Sequence, residues 1–165
     1  MGDVKIRRAR TSDLYTLTEM HVELNKELAR HTVRCPEELL ERGVVQSLLR
    51  RYLPGQDFTV WLASVGDDQA GFMSASIETV PIPVAPIAVG EILNLYVRPQ
   101  YRHMGTGTAL FETALAHFHR ARVRSIELSY LIANEGAAKF WARHGFIPES
   151  TRAVLVLDRP RSSGQ

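Results

Sequence analysis

Apolar positions along the chain recur with two periods, about two residues and about 3.6, and the switches between them predict the elements. Val4-Lys5-Ile6-Arg7-Arg8-Ala9 alternates and predicts a first strand. Leu14, Leu17, His21, Leu24 and Leu28 then share one helical face, with Thr11, Ser12 and Asp13 as N-cap residues ahead of it. The pattern breaks around His31 to Cys35, and Pro36 suits the first turn of a second helix over about Glu37 to Tyr52. Pro54-Gly55 ends that helix. Phe58 to Val65 predicts a strand, Gly66-Asp67-Asp68-Gln69 a turn, and Ala70 to about Thr79 the hairpin partner. Pro81, Pro83 and Pro86 exclude a regular inner strand and predict a loop or ragged edge. Glu91 to Val97 predicts a central strand. A glycine turn follows, then a helix to about Arg122 with Leu110, Phe111, Ala114, Leu115 and Phe118 at helical spacing. Ser125 to Leu131 predicts the next strand. Asn134 caps a short helix ending at His144, with Gly145 in the helix C-terminal position, and Phe146 to Leu157 predicts a last strand or strand pair. This order fits a mixed α/β sheet with helices on both faces. Residues 1–158 read as one domain, and 159–165 as a polar tail that frays.

The segment between the central strand and the long helix, Arg102-His103-Met104-Gly105-Thr106-Gly107, carries the chemistry. Small residues at a strand-to-helix turn let the backbone approach a ligand closely. The open N–H groups and the dipole at the helix start favour an anion there. Three phosphate motifs compete. A dinucleotide-binding turn wants G-x-G-x-x-G after a first strand, but Leu110 stands at the third glycine position and the strand lies in mid-chain. A Walker A loop wants a lysine, and this segment has none. What remains is R-x-x-G-x-G after a strand that ends in Val97-Arg98-Pro99. That pattern resembles the pyrophosphate arm of the GNAT superfamily, the acyl-CoA-dependent N-acyltransferases. The likeness runs back through Leu95 to Tyr101. It runs forward to Asn134-Glu135-Gly136-Ala137-Ala138-Lys139-Phe140-Trp141-Ala142-Arg143-His144-Gly145-Phe146, which is similar to the family's second CoA-side segment. It is specific from about Glu91 to about Phe146.

The resemblance implies a GNAT-like mixed central sheet with a splayed pair of central strands, and acetyl-CoA as co-substrate. Leu95, Tyr96 and Val97 would hydrogen-bond the pantetheine arm. His103, Met104, Gly105, Thr106, Gly107 and Thr108, with Arg102 just before, would wrap the pyrophosphate with N–H donors. Asn134 would contact the pantetheine, its simpler reading being a helix cap. Glu91 is the general base that the resemblance implies; a carboxylate needs a raised pKa or a relaying water for that role. Otherwise it is a paired or exposed strand-end carboxylate. Strand alternation puts Asn94 on the face opposite Glu91. Trp141 departs from the family, many of whose members carry a tyrosine that protonates the leaving thiolate. An indole N–H donates a hydrogen bond but no proton at neutral pH, so Trp141 would stabilise the thiolate or pack against the cofactor. Tyr130 is the substitute acid, or else a half-buried strand tyrosine. The acceptor side would comprise His21, Glu23, Glu27, His31 and the region from Ile82 to Val89. His21, on the apolar face, reads first as a satisfied core histidine.

Composition narrows the function classes. Hydrophobic residues at 45% and charged residues at 23% are ordinary for a soluble globular domain. A net charge of +2 calls for no polyanionic partner, and Arg120, Arg122 and Arg124 read as a solvated helix end, so nucleic acid is not expected. No apolar run is long enough to span a membrane, and Met1 to Lys5 has no apolar stretch of the secretory kind. The single cysteine, Cys35, excludes an internal disulfide and a Cys-rich zinc site; a reducing cytoplasm is the default compartment. The histidines show no metal spacing, so no metal is expected. The expected activity is transfer of an acetyl group from acetyl-CoA to a primary amine, on a small molecule or peptide, by direct attack. The alternative, which Trp141 favours, is a non-catalytic acyl-CoA-binding or regulatory module on the same fold. Relatives pair through their last strands or sheet edges, which is compatible with a homodimer.

Overall fold

The computed structural model describes residues 3–32, 41–55, 57–81, 83 and 85–155. Five strands lie in one sheet in chain order: β1 (Val4–Arg8), β2 (Phe58–Val65), β3 (Asp68–Val80), β4 (Ile87–Val97) and β5 (Ser125–Leu128). The first four are antiparallel, and β5 runs parallel to β4. The helices are α1 (Leu14–Leu28), α2 (Arg42–Tyr52), α3 (Thr106–Arg120) and α4 (Glu135–Arg143). Antiparallel neighbours need only a tight turn, whereas a parallel pair needs a crossover, and α3 supplies it between β4 and β5.

The sheet separates two cores. Val60, Leu62, Phe72 and Tyr96 face one side and pack with Leu17, Met20 and Leu24 of α1 and with Val45 and Leu49 of α2. Trp61, Met73, Ala75 and Ile92 face the other, against Leu110, Phe111, Ala114 and Phe118 of α3 and Trp141 of α4. Burying each large apolar side chain is worth about 1.5–3 kcal/mol, so the two helical layers hold the sheet from both sides. That is why β2 and β3 carry near-continuous apolar runs rather than a half-polar alternation.

Several expectations change. β3 and β4 reach further than predicted and pair as far as Val80 with Ile87, so the prolines lie in the connection of one long hairpin. Ile82 and Val84 lie outside the described residues, as does the predicted helix start at 37–40. β5 stops at Leu128. The predicted last strand is not formed over residues 146–155, and 156–157 lie outside the described residues. Phe146 tucks against Phe111 and Trp141, but Ile147 and Leu155 are exposed, and Pro148 offers no backbone donor. Beyond Phe146 the segment lies exposed as far as it is described, so its apolar content does not make a strand there. Thr11–Asp13 form a short 3-10 turn rather than a simple cap. The Asp13 carboxylate accepts from the Arg10 N–H at 2.7 Å and from Arg7, and the Arg7 hydrogen bond above all holds it below the usual carboxylate range.

Candidate active site

β4 and β5 part company early. Their pairing covers Val89 with Ser125 through Ile92 with Leu128 and ends there. On that side, residues 93–97 of β4 have no partner strand among the described residues, while β3 holds Asn94 to Val97 on the other side. Tyr130 lies just past β5, half-buried, beside the gap. The expected splay is therefore present, and main-chain groups of Leu95 and Tyr96 border it.

A bulge re-aims β4 at the same point. Ser74 pairs with Asn94 and Ala75 with Ile92, so Leu93 is an extra residue without a partner. Glu91 sits opposite Ser76, and Asn94 opposite Ser74; Ser74 and Ser76 share a face by alternation. Glu91 and Asn94 therefore share the α1–α2 face, which corrects the expectation that they point apart. Asn94 donates to the Ser74 hydroxyl at 3.0 Å. Glu91 is half-buried and forms no ion pair among the described residues. Nothing in the sequence signals the bulge, because the apolar alternation of the strand reads through it.

Beyond β4 the chain makes a 3-10 turn at Pro99–Tyr101 and then the glycine bend. His103 has φ +61° and Gly105 φ +82°, both left-handed, which turns successive N–H groups toward one side. The Arg102 N–H is bonded to the Pro99 carbonyl and the Ala109 N–H to the Gly105 carbonyl. Between them, the N–H groups of residues 103–108 have no backbone acceptor among the described residues. The Thr106 hydroxyl, fully buried, donates to the Tyr101 carbonyl at 3.1 Å and ties the helix start to the turn. Gly107 has a packing reason: a Cβ there would stand 3.3 Å from the Phe140 ring of α4. Six successive amides without a backbone acceptor at a helix start are donors of the kind that favour an anion.

The arginines of this segment point elsewhere. Arg98 meets Glu23 of α1 through Nε and Nη2, each at 3.0 Å. Arg102 donates from Nη2 to both Glu27 oxygens, at 2.7 and 2.9 Å, and from Nε to the Val97 carbonyl at 2.7 Å. The Tyr96 hydroxyl donates to Glu23 at 3.2 Å; burial, then the negative charge of Glu23 and Glu27, pushes its pKa up to about 12. Glu23 and Glu27, expected on the acceptor side, are thus engaged by arginine. The signal was available, since Glu19, Glu23 and Glu27 stand one helical turn apart and share a face.

Asn134 caps α4, its Oδ1 accepting from the Ala137 N–H at 3.0 Å. Trp141 is buried among Phe111, Phe140 and Phe146, all edge-to-face, with ring centroids 4.8 to 5.8 Å away. His21 lies against Phe72 at 4.3 Å, and its Nε2 is buried with no hydrogen-bond partner among the described residues, where a satisfied core histidine was expected. Burial lowers its pKa to about 4, so the ring is neutral at pH 7. Among the described residues no cluster of His, Cys, Asp or Glu could hold a metal ion, and no helix is long and apolar enough to cross a membrane.

The family model described as "Acetyltransferase (GNAT) family" matches residues 20–146. An uncharacterized N-acetyltransferase of Methanocaldococcus jannaschii is 38% identical over 58 residues, which cover 35% of this chain and 26% of that protein. The match thus spans about a quarter of the relative's length. The structure of a tetramutant of a Bacillus halodurans protein has a TM-score of 0.77 at 21% identity, over 93% of this chain and 99% of that one. An aminoglycoside N-acetyltransferase in complex with CoA has a TM-score of 0.73 at 17% identity, over 96% and 97% of the two chains. At such identities the structural likeness speaks to the fold.

Proposed function

The chain belongs to the GNAT acetyltransferase family, and from that premise we propose that it moves an acetyl group from acetyl-CoA to a primary amine by direct attack. The observation that carries this reading is the adjacency of the unpaired β4 edge, residues 93–97, to the open amides of residues 103–108. The amides of the pantetheine arm pair with the first, and the diphosphate sits on the second. Asn134, at the start of α4, borders the arm with its side-chain NH2.

The amine nitrogen attacks the thioester carbonyl carbon, the C–S bond breaks, and the amine proton passes to Glu91 through a water. Glu91 and Asn94, brought to one face by the Leu93 bulge, flank the attacking amine. A main-chain N–H of the open β4 edge stabilises the oxyanion. Trp141, packed among phenylalanines, supplies no proton, so the thiolate takes one from solvent or from Tyr130. The same burial of Trp141 supports the second reading, a module that binds acyl-CoA without turnover.

Calorimetry with CoA and thiol release from acetyl-CoA across a panel of amines test both. Binding with amine-dependent thiol release is expected, and Glu91→Gln should lower kcat on the order of 100-fold and remove the acidic limb of the pH–rate profile. Tight binding without release would leave the second reading. No heat and no thermal stabilisation at millimolar CoA would end both.

A further inference from the structure

We infer that Glu27 and Arg102 are a positioning pair for the diphosphate loop: Glu27 holds the Arg102 guanidinium against the Val97 carbonyl, and this clamp sets the bend whose amides receive the phosphates. The inference rests on the cofactor site proposed above.

Three carboxylates of α1 each meet an arginine from a different segment. Glu19 meets Arg42 of α2, Glu23 meets Arg98 just after β4, and Glu27 meets Arg102 at the head of the bend. Arg102 is engaged at the bend itself. Its Nη2 is shared by both Glu27 oxygens, its Nε is bonded to the last carbonyl of β4, and its N–H is bonded to Pro99. Its guanidinium carbon also lies 5.8 Å from the Tyr96 ring centroid. The arginine of the R-x-x-G-x-G pattern therefore has neither side chain nor amide directed to a phosphate; the first open amide is that of His103.

The next residue explains the need for a clamp. His103 is a non-glycine residue at φ +61°, a conformation that persists only where the surroundings enforce it. Arg102 fixes the chain immediately before it at two points, one on the sheet and one on α1. The helix on the acceptor side is thereby tied to the loop on the donor side.

The rival role, Arg102 as a direct phosphate ligand, predicts the opposite sign. Under it, Glu27→Gln would release the guanidinium and tighten CoA binding. As a positioning pair, Glu27→Gln and Arg102→Gln each weaken CoA binding about 3- to 10-fold, and the double variant is no weaker than the worse single. The measurement is CoA affinity by calorimetry for wild type, both singles and the double. Alongside it, kcat/KM is taken for acetyl-CoA and for S-acetylpantetheine, which lacks the diphosphate. The ratio of kcat/KM for acetyl-CoA to that for S-acetylpantetheine should fall in every variant. Tighter or unchanged CoA binding in Glu27→Gln, additive losses, or equal loss for both donors would overturn the pair. A wild-type protein that binds no CoA would overturn the cofactor site itself, a result visible before any variant is made.

Discussion

Acid should unfold this protein through His21. The ring lies on Phe72 with centroids 4.3 Å apart and planes 35° from parallel, and its Nε2 is buried without a hydrogen-bond partner among the described residues. Burial lowers its folded pKa to about 4, against about 6.5 for an unperturbed histidine. The folded state therefore prefers the neutral ring, and the unfolded chain takes up the proton first as pH falls. Stability from this group is fully present above about pH 6.5 and is lost as pH drops through the window down to about 4. At 1.36 kcal/mol per pKa unit, the full loss is about 3 kcal/mol, of which about 2 kcal/mol is gone by pH 5. Urea unfolding at a series of pH values, followed by fluorescence of the buried Trp61 and Trp141, measures it. His21→Phe keeps a ring against Phe72 and removes the titration. Wild type should lose about 2 kcal/mol more than the variant between pH 7 and pH 5. Asp13 also loses stability in acid, because its folded pKa is depressed, but it is common to both proteins and cancels. Parallel stability curves would refute the assignment.

Other outcomes follow from single contacts. Asn134→Ala removes the cap on the Ala137 N–H and should cost about 1 kcal/mol in urea unfolding. Asn134→Asp keeps the capping oxygen and loses the NH2, so near wild-type stability with weakened CoA binding would mark a cofactor contact, and unchanged binding a cap alone. At Gly90 an added Cβ would stand 2.5 Å from a ring atom of Phe118, which is fully buried. Gly90→Ala should therefore cost about 1–3 kcal/mol, read as a lower thermal midpoint.

The strands and helices were largely legible because each helix buries one face and the inner strands bury both. Leu14 to Leu28 and the α3 face declare themselves by period, Phe58 to Val65 by its short apolar run, and the observed elements coincide with them. The segment from Phe146 to Leu157 misled because apolar residues there suggested a strand that no neighbour covers in its described part. The family, and the bend that carries its phosphate motif, were legible because Gly105 and Gly107 answer local demands, a left-handed φ and a close helix contact. Those demands act on the residue that meets them, so they leave a mark in the string of letters.

Three things were decided by tertiary structure. The Leu93 bulge reverses which side chains share a face, and its register is set by β3 rather than by β4. The gap beside β4 exists because β5 ends at Leu128, which a list of β-forming residues does not announce. Arg102 faces Glu27 because α1 packs beside the end of β4, bringing together residues far apart in the chain. Periodicity and turn chemistry are local and one-dimensional, so the sequence alone determined the elements and the phosphate-type bend. Strand register, strand parting and cross-element ion pairs depend on which surfaces meet, and only the folded chain decides that.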